Sequence, residues 1–237
     1  MLTATPTTLA GAVGAGRAFG AVVTQPSNLQ LLLQGLWVTI KLAAFSLILA
    51  LALGVVFGVL RTVPLRPLRA AGTAYVEFFR NTPLLVQMYY WYFGLPVLAG
   101  VTLPGFQAAF LALGIYTGAF VAEVVRAGIL AVSPGHLEAA RSLGLSYLQT
   151  VRHVVLPQAF ATTVPPLGNL AIAMTKNTSV ASAIAVQDVM YNGNLLNSRT
   201  FATYEVFASV GLAYLSLTVP LSVLVNRLER RLTRFRR

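Results

Sequence analysis

Between Gly35 and Leu60 the chain carries a single charged residue, Lys41. A helix rises about 1.5 Å per residue, so about 20 apolar residues cross a hydrocarbon core of about 30 Å. Four further stretches reach that length, from about Ala74 to Leu98, Phe106 to Val132, Ala159 to Met190 and Val206 to Leu228. Only 10% of the residues are charged, against about 25% in a soluble domain. Such a chain cannot cover its outside with polar groups, so that outside faces lipid. The expected fold is all-α, a polytopic membrane protein with five transmembrane helices.

The fourth stretch is irregular. Pro165 and Pro166 interrupt its helical hydrogen bonding, and Lys176-Asn177-Thr178-Ser179 interrupts its hydrophobicity. Irregular backbone at membrane depth survives only inside protein or beside a watery cavity. The sequence predicts a helix to about Thr175, a break, and a shorter apolar helix from about Val180. Lys41, four residues past Trp37, reads as a snorkelling lysine beside an interfacial indole.

Orientation follows from the basic residues. Arg61, Arg66, Arg69 and Arg80 flank the first link, and Arg126, Arg141 and Arg152 the third. Arg227, Arg230, Arg231, Arg234, Arg236 and Arg237 end the chain. These 13 of the 17 basic residues share one side when the crossings number five. The C-terminus is then cytoplasmic and the N-terminus outside.

Several classes of function are excluded. The net charge of +11 is spread between and after apolar runs, which argues against a nucleic-acid partner. There is no cysteine, and both histidines, His136 and His153, lie in one polar stretch without metal-ligand spacing, so no metal site is expected. The only lysines, Lys41 and Lys176, follow no GxxxxGK[ST] pattern, so the chain does not hydrolyse ATP by itself.

The longest polar link runs from Ser133 to Phe160, SPGHLEAARSLGLSYLQTVRHVVLPQAF. Ser133 and Pro134 read as a helix start with a capping hydroxyl. Gly144 stops that helix, and Ser146 with Gln149 offers a capping box for the next. A short helix with small residues at Ala139 and Ala140 suits docking into a partner's groove or lying on the membrane surface.

The run resembles the EAA loop of ABC importer permeases. Glu138-Ala139-Ala140, Gly144, Val154, Leu156 and Pro157 keep every spacing of that pattern. FFRNTPLLVQMYYWYFGLP, AEVVRAGI, LPQAF and KNTSVASAIAV are similar to the polar amino-acid permeases of the histidine, glutamine and glutamate type. The resemblance covers about residues 29 to 232, and its tail looks most like glutamate/aspartate permeases.

It implies a chain in the bacterial cytoplasmic (inner) membrane, divided into a tail (1–28), a permease domain (29–232, with the EAA loop at 133–157) and a basic cytoplasmic end (233–237). The first 28 residues, rich in Ala, Gly and Thr, read as a tail without a cleaved signal. The loop between spans three and four would be the coupling helix that fits a cleft on a cytoplasmic ATPase dimer. That dimer, not this chain, would bind ATP, and no cofactor is expected here. The other implied partners are an extracytoplasmic substrate-binding protein, a second permease copy or sister permease, an amino-acid substrate and the lipid bilayer. The alternatives are a permease for methionine or an osmoprotectant and, further off, a secondary transporter.

Charged and amide groups inside spans are costly and mark function. Arg80 with Gln87, Tyr116 with Glu123, and Asn169 with Lys176 lie seven residues apart, nearly two turns, so each pair would share a face. Glu77 with Arg80 and Glu123 with Arg126 have the spacing of helical ion pairs. Arg80, Gln87, Glu123, Asn169 and Lys176 are expected to line the path, with Asn177, Thr178 and Ser179 offering polar groups at the break.

Overall fold

The computed structural model describes residues 24–234, with side chains through 231. Residues 1–23, most of the expected tail, and 235–237 lie outside the described residues. Every element among the described residues is helical.

Helix α1 (Pro26–Leu60) starts earlier than the apolar run suggests, with Pro26 in its first turn. Its buried residues form one stripe, Leu32, Gly35, Thr39, Leu42, Ser46, Ala50, Gly54 and Gly58, recurring every three or four positions as one helical face requires. Six of these eight are small. Two helices in lipid gain nothing by hiding apolar surface from each other, so small residues and close packing hold them together. The facing helix α5 (Gly105–Leu130) answers with Ala108, Ala112, Gly114, Thr117, Gly118 and Ala122, all buried. A Cβ on Gly54 would come within 2.2 Å of Val121 Cγ1, so nothing larger than glycine fits that crossing undisturbed.

The second apolar stretch is not one helix. Helix α2 (Arg66–Asn81) ends at Thr82, whose φ of −103° and ψ of 131° are extended. Pro83 explains this, because its ring pushes the preceding residue out of the helical region. After it come α3 (Leu84–Tyr89), a π-helical turn (Tyr90–Gly94) and α4 (Leu95–Ala99). This corrects the single helix expected from Ala74 to Leu98.

Helix α6 (Pro134–Ser142) and α7 (Tyr147–Thr150) form the polar link. A π-helical turn (Val151–Val155) leads into α8 (Leu156–Asn177). Helix α8 runs through Pro165 and Pro166 without ending; proline's fixed φ is compatible with a helix although the hydrogen bond is lost. The segment from Thr178 to Ile184 is a 3₁₀ helix that ends at Ala185 in the left-handed region, φ 58°. The break therefore falls after Asn177, and this 3₁₀ segment replaces the α-helix expected from Val180. Helices α9 (Val189–Thr200) and α10 (Thr203–Arg234) complete the chain.

Among the described residues three helices are long and apolar enough to cross a membrane, Pro26–Leu60, Gly105–Leu130 and Thr203–Arg231. Helix α1 is the strut the rest is built on. Leu42 packs in one core with Leu84, Met88, Leu113 and Ile184. Ala50 joins Val121 and Met174 in another, and Leu32 joins Val189, Leu196 and Val206 in a third.

Close approach at Gly54 gives a direct prediction. Gly54→Ala lowers stability by about 1–3 kcal/mol through overpacking, seen as a lower thermal midpoint in detergent. Gly211→Ala, where a Cβ meets nothing within 4 Å, leaves the midpoint unchanged or raises it by up to about 1 kcal/mol of helix propensity.

Candidate functional site

The polar link is a preformed, exposed platform. Ser133 occupies the N-cap of α6, but its side chain makes no capping bond, contrary to the sequence reading. The other end is fully built. Gly144 adopts φ +76°, a left-handed conformation that costs an L-residue about 1–2 kcal/mol. Leu145 N–H donates to Ala140 O at 3.1 Å and Gly144 N–H to Arg141 O at 2.9 Å, the paired bonds of a Schellman stop. The Ser146–Gln149 capping box is present.

Glu138, Ala139 and Gly144 are exposed while Ala140 is buried, and Leu156 and Pro157 lie exposed at the foot of α8. Leu143, Tyr147 and Leu148 add a large apolar surface, each more than 70% exposed. His136 Nδ1 sits 3.0 Å from Gln158 Oε1, which ties α6 directly to the base of α8. The sequence alone gives the histidines no such role. Among the described residues no cluster of metal-ligating side chains occurs.

The interior polar residues fall into two groups. One group completes broken backbone. A helix end leaves carbonyls without partners, and at the end of α2 Thr82 Oγ1 donates to Phe78 O at 2.7 Å. Gln87 Nε2 donates to Phe79 O at 2.9 Å and to Thr82 O at 3.0 Å. The Thr82–Pro83 break thus separates Arg80 from Gln87, and the expected shared face does not exist. Gln87 is buried in its own apolar groove with Phe78, Phe79, Tyr90 and Trp91.

At the second break, Thr178 Oγ1 donates to Thr175 O and Ser179 Oγ to Lys176 O, both at 2.8 Å. Asp188, fully buried, caps α9 by accepting from Tyr191 N–H at 2.8 Å, and accepts from the Tyr214 hydroxyl at 3.0 Å. Asn192 Nδ2 donates to Leu31 O at 2.8 Å, anchoring α9 on α1. The sequence reading does not single out Asp188, although an ionisable residue inside an apolar stretch is itself a signal.

The second group is a charge cluster. Glu123 on α5 meets three guanidiniums. Arg61 Nη1 bonds Oε2, Arg126 Nη1 reaches Oε1 at 3.1 Å, and Arg80 Nη1 lies 3.5 Å from Oε2. The expected Glu123–Arg126 pair is there. Glu77 instead accepts from Asn81 Nδ2 at 3.1 Å, which leaves Arg80 to α5. In the sequence Arg61 stands out only as a topology-setting charge. Its register, three residues past Gly58 on the buried stripe of α1, turns it toward α5.

Arg80 also lies 5.3 Å from the centroid of the Phe120 ring. Phe120 lines a cavity of about 140 Å³ with Tyr116, Thr117, Leu170, Met174 and Asn177. The fold therefore brings Arg80, Glu123 and Asn177 to one neighbourhood. Asn169 and Lys176 share the exposed face of α8.

The chain resembles known membrane subunits over most of its length. Residues 50–234 match the family described as binding-protein-dependent transport system inner membrane component. It is 46% identical over 205 residues to the probable glutamine ABC transporter permease of Bacillus subtilis, covering 86% of this chain and 94% of that one. It is 38% identical over 213 residues to a glutamate transport system permease of Corynebacterium glutamicum, covering 85% and 93%. A solved amino acid ABC transporter with histidines superposes with a TM-score of 0.83 at 34% identity, covering 88% and 97%. A methionine ABC transporter in inward-facing form shares the fold at 23% identity and a TM-score of 0.73.

Two substitutions probe the local geometry. Glu123→Gln leaves Arg61, only 9% exposed, without its counter-charge, and is expected to lower the thermal midpoint by the equivalent of about 1–3 kcal/mol. Gly144→Val strains the stop of α6 by about 1–2 kcal/mol while Gly144→Asn loses less; limited proteolysis at the link reads the difference.

Proposed function

The chain belongs to the family of binding-protein-dependent transport system inner membrane components, and from that premise we propose that it is the permease subunit of an ABC importer for polar amino acids in the bacterial inner membrane. The observation that carries this is the extent of likeness to amino-acid permeases for glutamine and glutamate, joined to an exposed, conformationally fixed link at Pro134–Ser142. The methionine alternative has only a shared fold behind it.

In this reading the chain crosses the bilayer five times. Helices α1, α5 and α10 cross whole, while α2–α4 and α8 with its 3₁₀ extension cross as broken helices. The link and the C-terminus face the cytoplasm. Glu138, Ala139, Ala140 and Gly144 dock on one subunit of an ATPase dimer, and Leu156 and Pro157 pass the movement to α8. The His136–Gln158 contact makes that movement a push on a rigid body. Because the chain has no phosphate-binding loop, ATP binding and hydrolysis belong to the partner.

A binding protein delivers the amino acid from outside. Two permeases, identical or sister chains, enclose the path, with Arg80, Glu123, Asn169, Lys176 and Asn177 along it. Gln87, Thr178 and Ser179 hold the broken helices that shape it. Glutamine or glutamate is the favoured cargo. ATP closes the ATPase dimer and the spans rock from inward-open to outward-open, giving alternating access.

The test is reconstitution in liposomes with the neighbouring-gene ATPase and binding protein. ATP hydrolysis should rise when the binding protein carries glutamine or glutamate. Glu138→Lys should abolish the rise and leave the permease folded. A correctly assembled complex that responds to no amino acid overturns the proposal.

A further inference from the structure

The charge cluster is unbalanced, and its members are held unequally. Three guanidiniums around Glu123 leave a local charge of +2. The Arg61 side chain is only 9% exposed, and both carboxylate oxygens of Glu123 already have near partners, Arg61 on Oε2 and Arg126 on Oε1 at 3.1 Å. Arg80 makes only a 3.5 Å approach to an oxygen that Arg61 already holds, and its side chain is 37% exposed. At that distance a hydrogen bond contributes little. A guanidinium is a planar fork matched to a carboxylate, which it binds through two parallel bonds. Arg80 has no such partner among the described residues.

Its place relative to the cavity completes the picture. The Arg80 guanidinium stands over Phe120 at 5.3 Å, and the same ring is a wall of the cavity that reaches Tyr116, Thr117 and Asn177. At about 140 Å³ this space is well above the roughly 10–15 Å³ that admits a single water. That suits the head of an amino acid, with its side chain extending beyond. Contact with an aromatic face restrains a guanidinium without using its N–H donors, so less order is lost when a carboxylate arrives.

We propose that Arg80 is the residue that reads the substrate's α-carboxylate: the carboxylate seats on the Arg80 fork at the Phe120 edge of the cavity, while Arg61 and Arg126 keep Glu123 from competing for it. This rests on the amino-acid reading above and adds a specificity-determining role to one residue. Arg61 acts through Glu123 and is a positioning residue.

The experiment uses the purified permease–ATPase complex without binding protein. Equilibrium binding of radiolabelled L-glutamine and L-glutamate is compared with that of their α-carboxamides, in parallel with uptake by the full reconstituted system. The wild-type complex should prefer each acid over its amide at least ten-fold. Arg80→Lys, which keeps the charge and loses the fork, should reduce the preference to a few-fold. Arg80→Gln should remove it, with ATPase assembly intact. An Arg80→Gln complex that keeps the wild-type preference overturns the proposal. So does a wild-type complex that transports glutamine or glutamate and binds acid and amide equally. A wild-type system that transports no amino acid overturns the functional reading itself, and this inference with it.

Discussion

Backbone N–H and C=O groups that lie among apolar segments have no water to turn to, and each must find a partner within the protein. That requirement governs this chain because two of its apolar stretches are broken. At the first break Thr82 and Gln87 supply the missing donors to Phe78 O, Phe79 O and Thr82 O. At the second, Asp188 caps α9 and Thr39 Oγ1 accepts from Val189 N–H at 3.3 Å. Without these side chains the breaks would be unstable. Without the breaks, neither the groove at Gln87 nor the end of α8 at Asn177 would exist.

The same economy applies to charge. Ionised groups away from water are retained when they are paired. Glu123 gathers arginines from α2, from the end of α1 and from its own helix, and so ties three elements at one end of the bundle. The glycine and alanine stripe of α1 makes this possible, since it brings α1 and α5 close enough for Arg61 to reach across. The charge cluster, the cavity and the α6 link are therefore supported by one packed unit, and a displacement of the link at Pro134–Ser142 would be carried through Gln158 into α8.

Much of this is legible in the sequence, and the residues show why the rest is not. The apolar runs locate α1, α5 and α10, because length and lack of charge define a crossing. The Gly144 stop and the Ser146–Gln149 box are readable as local signals with short-range geometry. The break at Thr82 escapes the reading although Pro83 announces it, because the aromatic run beyond it keeps the stretch apolar. Pro165 and Pro166 read as gaps in the hydrogen bonding of a helix that continues to about Thr175, and α8 passes through them to Asn177. The Glu123–Arg126 pair is set by spacing, whereas Arg61–Glu123 joins residues 62 positions apart and depends on how α1 packs. Asp188 with Tyr214 is tertiary in the same way.

In the proposed topology the broken stretches cross the membrane as composite spans. The chain has no cysteine, so single cysteines report their side of the membrane cleanly. Tyr147 and Ser198 are both exposed, one before α8 and the other within α9, with one proposed composite crossing between them. Labelling Tyr147→Cys and Ser198→Cys in intact cells and in inverted vesicles with an impermeant maleimide is the most direct measurement. Ser198→Cys should react in intact cells and Tyr147→Cys only in inverted vesicles. Reaction of both from the same side would contradict it.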